Sequence, residues 1–314
     1  MKRSDLRRHA GILLGPILGL FYGLVFRVVI DRESPWFQAI TLGYVFGVPL
    51  VMGYLSVVGL ARPRWWQTTF LPWVAWLLLI AFGFSAGYEG SICIIIATPV
   101  ALPLASIGGW FAILVRRFSR RAGAMVLALP LVLMPLESTF PPAPELRTVS
   151  TTLEVAAPRA VVWEQIREVR PIRPEEHGTS WVNRIGFPRP IEARLYGEGV
   201  GAVRHATFEG GVLFVETITA WDEGSRLAFI IKADTASIPP TTLDEHVTIG
   251  GRYFDVLDGE YRLEELPSGG TRIHLTSHHR LSTSIDFYAA LWSDGIMRGI
   301  QERILEVIRH RCES

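Results

Sequence analysis

The chain has 314 residues, 49% of them hydrophobic, with a mean hydropathy of +0.28, above what an average soluble domain reaches. Its formal net charge of +1 hides two unlike halves: residues 1–144 hold 12 Lys/Arg against 5 Asp/Glu, and residues 145–314 hold 19 against 25. The second half is mildly acidic with its charges interspersed, which argues against nucleic acid as a partner.

Five apolar segments occupy the first half, at about 11–30, 36–60, 68–87, 91–115 and 122–136. Each of the first four is roughly 20 residues or longer, enough at ~1.5 Å per residue to cross a ~30 Å hydrocarbon core. The fifth has about 15 apolar residues before Glu137, so it is expected to be a short span or an interfacial helix. The opening "MKRSDLRRH" resembles the positive region of a signal peptide, but the apolar stretch behind it is too long for one and more segments follow. Trp36, Trp65, Trp66 and Trp110 gather near segment ends, where amphipathic rings favour the headgroup level.

Orientation follows from the short loops. The N-terminus, the second loop (Arg62, Arg64) and the fourth loop "RRFSRR" are basic, whereas "DRESP" and "YEG" are not, which places the N-terminus in the cytoplasm. The second half lies outside the cytoplasm if the fifth segment crosses, the preferred reading, and inside if it does not. An inner or plasma membrane is the expected location. Arg27 and Glu89 are the ionisable residues nearest to the spans. Arg27 is expected to snorkel to the interface and Glu89 to sit in a short loop, so the helices read as an anchor.

The run "ESTFPPAPELRT" marks a proline-rich spacer at 138–146 between a membrane domain, 1–137, and a water-soluble domain, 147–311. After it the periodicity changes. Val149, Thr151, Leu153 and Val155 alternate as in a strand, and Pro158 then introduces Val162, Ile166 and Val169 at helical spacing. Strand-like runs follow at about 191–197, 201–209, 212–221, 226–233, 252–265 and 271–281, most of them separated by turn signals such as "GEGVG", "EGG", "DEGS" and "PSGG". Connections this short imply antiparallel hairpins. The final segment carries Ile285, Tyr288, Trp292, Ile296, Ile300, Ile304 and Ile308 on one helical stripe. Gly295 and Gly299 beside the stripe would admit a close neighbour. The expected fold is therefore α+β: a curved antiparallel sheet gripping a long C-terminal helix, behind an all-α membrane domain of four or five helices.

Three stretches carry a resemblance to a known family: "LEVAAPRAVVWEQI", "ETITAWDEGSRLAFII" and "GEYRLEELPSGGTRIHLTSHHRL", in that order before the terminal helix. Residues 147–311 resemble the START-like, Bet v 1-like superfamily, in particular its polyketide cyclase/dehydrase and lipid-transport branch. The membrane half has no part in the resemblance. It implies an apolar ligand held between the sheet and the long helix.

The expected lining is drawn from these faces. Glu216 shares a strand face with Phe214, and Arg204 shares one with Phe208; Trp292 and Ile296 lie on the helix stripe. Tyr253 begins a strand, and His246 lies in a loop, where an imidazole can act as acid or base near neutral pH. Arg204, Phe208, Phe214, Glu216, His246, Tyr253, Trp292 and Ile296 are thus the candidate ligand-binding residues, with Glu216 expected to matter for ligand and not for folding. The alternative for the first pair is a place at a sheet edge facing water. Seven of the eight histidines are in this half, but "EEH" and "HH" match no ligand spacing, so no metal is expected. No cofactor is expected either, since Walker and G-x-G-x-x-G motifs are absent from the sequence. The leading expectation is a membrane-tethered carrier or binding domain for a lipid or other hydrophobic molecule. The alternatives are a cyclase or dehydratase acting on a hydrophobic substrate and a membrane-bound ligand sensor or assembly module. The bilayer and the small molecule are the expected partners, and no protein partner is legible.

Overall fold

The computed structural model describes residues 3–30, 40–116, 120–234 and 249–314. The chain divides into two compact units at the boundary between Pro142 and Ala143.

Apolar helices build the first unit: α1 (Arg3–Leu24), α2 (Val48–Val58), α3 (Trp65–Ser85), α4 (Ser91–Val115) and α5 (Arg120–Ser138). A π-helical stretch, Val25–Ile30, prolongs α1, and another, Gly43–Gly47, leads into α2. Among the described residues three helices are long and apolar enough to cross a membrane: Trp65–Ser85, Ser91–Val115 and Arg121–Ser138. The fifth segment, expected as a short span or an interfacial helix, has the length for a span because the helix runs on past its apolar core to Arg121 at one end and Ser138 at the other. The first two segments instead give shorter apolar helices among the described residues, Ile12–Val28 and Gly43–Val58. Trp36 and the "DRESP" loop lie outside the described residues.

Glycines set the helix spacing. Gly53 of α2 lies on the Ala105 carbonyl of α4, and Gly108 of α4 lies on the Leu50 carbonyl of α2, so a Cβ at either position would overlap backbone. Indoles add crosslinks between α3 and α4: Trp73 Nε1 donates to Ser106 Oγ at 2.8 Å, and Trp76 Nε1 to Thr98 Oγ1 at 3.4 Å. Arg27 does not snorkel. It is buried, its Nε paired with Glu89 and its Nη2 donating to the Tyr88 carbonyl at 2.5 Å, so the charge is met by protein instead of water.

In the second unit one sheet and one long helix face each other. Strand β1 (Glu145–Val155) is followed by α6 (Arg159–Arg167) and a single turn, α7 (Trp181–Arg184). Then come β2 (Pro190–Tyr196), β3 (Val203–Phe208), β4 (Leu213–Asp222), β5 (Arg226–Asp234), β6 (Phe254–Glu265) and β7 (Thr271–Leu281), and the chain closes with the 28-residue α8 (Asp286–Glu313). The seven strands are antiparallel in the order β1-β7-β6-β5-β4-β3-β2. Strands β2 to β7 form a meander in which each strand pairs with the next along the chain, through short links except between β5 and β6, and β1 joins its far side by pairing with β7. Alternation decides the faces. Ile273, Leu275 and Ser277 of β7 point inward, while on the outer face Thr152 Oγ1 meets His274 Nδ1 at 3.0 Å and Arg272 Nη2 meets Glu154 at 2.8 Å. Trp163 of α6 packs edge-on against Trp221 of β4, their centroids 5.3 Å apart.

One close packing contact and one polar tie fix α8. Gly299 lets Val182 and Trp181 of α7 rest where a side chain would stand, so the close neighbour expected at the glycine pair is α7. At the other end, Arg311 donates to Glu176 at 2.7 and 3.0 Å and to the carbonyls of Arg170 and Pro171, both at 3.0 Å. The Arg311 guanidinium holds the buried Glu176 carboxyl down at about 2.

Two predictions follow from this packing. Gly53→Val and Gly108→Val should each lower the thermal midpoint of the full chain in detergent, at a cost of about 1–3 kcal/mol or more. Gly59→Ala, which meets nothing within 4 Å, should leave it unchanged, and equal midpoints for all three would refute the close approach. Because the Glu176 value is depressed from 4.5 to about 2, its pairing stabilises fully above pH 4.5 and is lost as the pH falls toward 2. Arg311→Met should therefore cost about 2 kcal/mol at neutral pH, with a gap to the parent that narrows across this window in urea unfolding. A gap independent of pH would argue against the tie.

Candidate ligand-binding cavity

Small side chains on the inner face keep the sheet from closing on α8. Ala193 of β2, Ala206 of β3 and Ser277 of β7 stand where larger residues would meet the helix, and a cavity remains between them and Ile296, Met297, Ile300, Gln301 and Ile304. It gives about 130 Å³ of room to the centres of water-sized groups, far above the ~10–15 Å³ that one water requires. Phe208 and Phe214 form an edge-to-face pair in its wall, centroids 5.2 Å apart, and Phe187, Phe229, Ile231 and Phe254 continue the apolar surface.

Two polar groups interrupt that surface, and both are internally satisfied. Arg204 of β3 and Glu216 of β4 are direct register partners on inner strands, and the side chains are buried and ion-paired through Arg204 Nε. Arg204 Nη1 donates to the Ile166 carbonyl at 2.5 Å, where the end of α6 presents unpaired carbonyls, and the guanidinium lies 4.4 Å over the Phe229 ring. Burial pushes the Glu216 carboxyl up, and the Arg204 charge opposes that push. Burial also raises the neighbouring Tyr261 phenol to about 12, so it stays protonated. The second group centres on Gln301 of α8. Its Oε1 accepts from Thr151 at 2.7 Å, and its Nε2 donates to the Val149 carbonyl at 3.1 Å and Ser277 Oγ at 3.0 Å.

Of the residues expected from sequence, Arg204, Phe208, Phe214, Glu216 and Ile296 line this cavity. Tyr253 and Trp292 are outside its lining. Tyr253 lies one residue before β6 and out of phase with Phe254, which takes the wall position. Trp292 is displaced by its neighbour: Ser293 faces the interior and accepts or donates to His279 Nε2 at 3.0 Å, while the indole sits beside Tyr288, centroids 6.4 Å apart. His246 lies outside the described residues. The edge alternative for Arg204 and Glu216 does not hold, because β1 and β2 are the edges. Nor does the expectation that Glu216 is dispensable for folding, since its removal would strand a buried guanidinium.

Sequence reasoning missed Tyr261, Ser277, Gln301 and Glu192 in the lining. Inward alternation with Leu263 marks Tyr261, and helical spacing between Met297 and Leu305 marks Gln301, but their polarity masks both signals. The imidazole of His279 is fully buried and its basicity is lowered by that burial, so it is neutral near pH 7. Its Nε2 lies 3.4 Å from Asp294, which Arg147 grips at 2.9 and 2.6 Å. No group of three His, Cys, Asp or Glu side chains able to hold a metal occurs among the described residues.

No family model and no curated protein matches the chain. Solved structures align with about half of it. A protein from Nitrosospira multiformis aligns over 54% of this chain and 97% of its own at 20% identity, with a TM-score of 0.32. The Aha1 dimer from Colwellia psychrerythraea aligns over 53% and 96% at 12% identity, TM-score 0.30. Ara h 8.0201 aligns over 51% and 99% at 15% identity, TM-score 0.28. At these scores the alignments add no weight to what the geometry says.

The buried pair makes a double-substitution prediction. Arg204→Met alone should destabilise the chain by about 3–5 kcal/mol, because Glu216 is left buried and unpaired, whereas Arg204→Met with Glu216→Leu should recover most of that loss. Urea unfolding of the single and double variants checks it, and additive losses would show that the two side chains do not act as a pair.

Proposed function

We propose that residues 147–311 form a START-like domain that binds or carries a hydrophobic small molecule, held at a membrane by the N-terminal helices. The observation that carries this reading is the cavity itself: a largely aromatic and aliphatic space between sheet and α8 whose buried polar groups are already partnered. A polar reactant entering it would lose hydration without gaining new partners, whereas an apolar one gains from leaving water. The order of strand, helix, six-strand meander and terminal helix supports the family resemblance. The three helices long and apolar enough to cross a bilayer support the tether, as do their exposed Leu77, Phe82, Leu131 and Val132.

Binding is favoured over turnover. The cyclase-type reading draws its acid or base from Glu216, Arg204, His246 or Tyr253; among the described residues Glu216 is held by Arg204, and the neighbouring Tyr261 remains protonated. Neither is placed as a free proton acceptor.

The test uses the full chain in maltoside micelles with the neutral apolar fluorophore N-phenyl-1-naphthylamine. Ala206→Trp, which places an indole in the cavity, should remove the saturable part of the binding signal while the protein stays folded. Saturable binding that survives this substitution unchanged would place the probe elsewhere and count against the proposal.

A further inference from the structure

Each polar atom around Gln301 has a partner, yet the hydrogens of this group outnumber by one the acceptors they reach. The Val149 carbonyl is solely an acceptor, so the amide nitrogen of Gln301 must face it, at 3.1 Å, and the amide oxygen must face Thr151 Oγ1, at 2.7 Å. An amide nitrogen only donates. Its second hydrogen therefore goes to Ser277 Oγ at 3.0 Å, and Ser277 is made the acceptor. The hydroxyl hydrogen of Ser277 is left over, since among the described residues this side chain makes no other hydrogen bond.

That hydrogen borders the cavity. Ile273, Leu275 and Ser277 of β7 are buried on the inner face, whereas Thr276 meets Ser150 on the outer one. Ser277 is 7% exposed, and its partners on the neighbouring strands are Val149 and Gly259. Gly259 has no side chain, and the Phe229 ring of the cavity wall fills the place of its Cβ. The hydroxyl thus has Gln301 on one side and the cavity on the other. A donor held away from water without an acceptor is costly, so an occupant that displaces water from this spot binds better if it supplies one.

Resting on the binding reading above, we infer that the cavity selects neutral apolar molecules carrying a hydrogen-bond acceptor within their hydrocarbon, a ketone or ester carbonyl, and that Ser277 is the residue that recognises it. A plain hydrocarbon fills the space but leaves the Ser277 hydrogen unmet. A carboxylate or phosphate would meet it with a charge that one hydroxyl does not balance, and Arg204, the cation in the lining, is engaged by Glu216.

The experiment is displacement of N-phenyl-1-naphthylamine from the full chain in maltoside micelles by methyl decyl ketone and by dodecane, each dosed per mole of detergent. The Ala206→Trp chain in the same micelles is the blank, so partition into detergent is subtracted. Ser277→Val and Ser277→Thr have the same shape and differ by the hydroxyl. The affinity for the ketone relative to dodecane should fall about three- to ten-fold in Ser277→Val, the loss of one neutral hydrogen bond, and keep the parent value in Ser277→Thr. A ratio equal in the two variants, or displacement by dodecane alone, would overturn the inference and leave the hydrophobic-binding reading standing. The parent chain gives a second measurement that needs no variant to fold: the infrared carbonyl stretch of the bound ketone, isotope-labelled at the carbonyl, should lie below its frequency in dodecane solution. A stretch at the dodecane value would likewise overturn the inference. Failure of both competitors to displace the probe from the parent would overturn the binding reading as well.

Discussion

The guanidinium of Arg204 is the fixed point of the C-terminal unit. It receives the Ile166 carbonyl at the end of α6, the Glu216 carboxylate on the adjacent strand and the Phe229 ring beyond it. A charge so deeply buried is tolerated only when several partners converge on it, and these partners come from three elements. Their positions are thereby coupled: α6 cannot shift along the sheet without abandoning the guanidinium, and β3 cannot slip against β4 without separating register partners. Gly259 contributes by absence. The edge of the Phe229 ring occupies the place its Cβ would take, which lets the ring lie flat beneath the cation.

That coupling helps explain how a cavity persists in an otherwise close-packed interior. Proteins normally close such spaces by small shifts of helices and side chains. Here α8 is held off the sheet by Gln301, whose three hydrogen bonds to Thr151, Val149 and Ser277 fix its distance from β1 and β7, and by Arg311 at its end. Collapse of the helix onto Ala193 and Ala206 would break bonds that have no replacement in an apolar environment. The polar contacts therefore do not compete with the hydrophobic core around Val162, Ile166, Leu305 and Ile308. They set the distance at which that core stops.

The strands and the terminal helix were legible from sequence because their signals are local: period-two alternation between glycine-rich turns, and a long helical stripe. Expected boundaries for β2 to β7 fall within about two residues of the observed ones. What was illegible is the content of the interior where it is polar. The helix stripe runs through Trp292, Ile296 and Ile300, which are partly buried, whereas the fully buried positions include Ser293, Met297 and Gln301, about one residue round the helix. Apolarity alone shifted the stripe, since Ser293 and Gln301 reveal themselves only through partners on other elements. Arg204 and Glu216 were found as a pair because both interrupt apolar alternation on strands joined by a short turn. Their burial is a property of the sheet order, which no single strand discloses.

The N-terminal helices obey different rules, and the membrane reading accounts for the difference. In hydrocarbon, apolar side chains gain nothing by leaving the solvent for one another, so helix association rests on close backbone approach and on hydrogen bonds. Gly53 and Gly108 supply the first at the crossing of α2 and α4, and Trp73 and Trp76 supply the second between α3 and α4. Leu and Phe meanwhile point outward from α3 and α5, the reverse of the C-terminal unit, where the outer face of the sheet carries paired histidine, threonine and charged side chains. The burial of Arg27 against Glu89 fits the same solvent, since a charge in a thin apolar bundle must find its counter-ion within the protein. Two interiors with opposite packing logic in one chain agree with the proposed division between lipid and water.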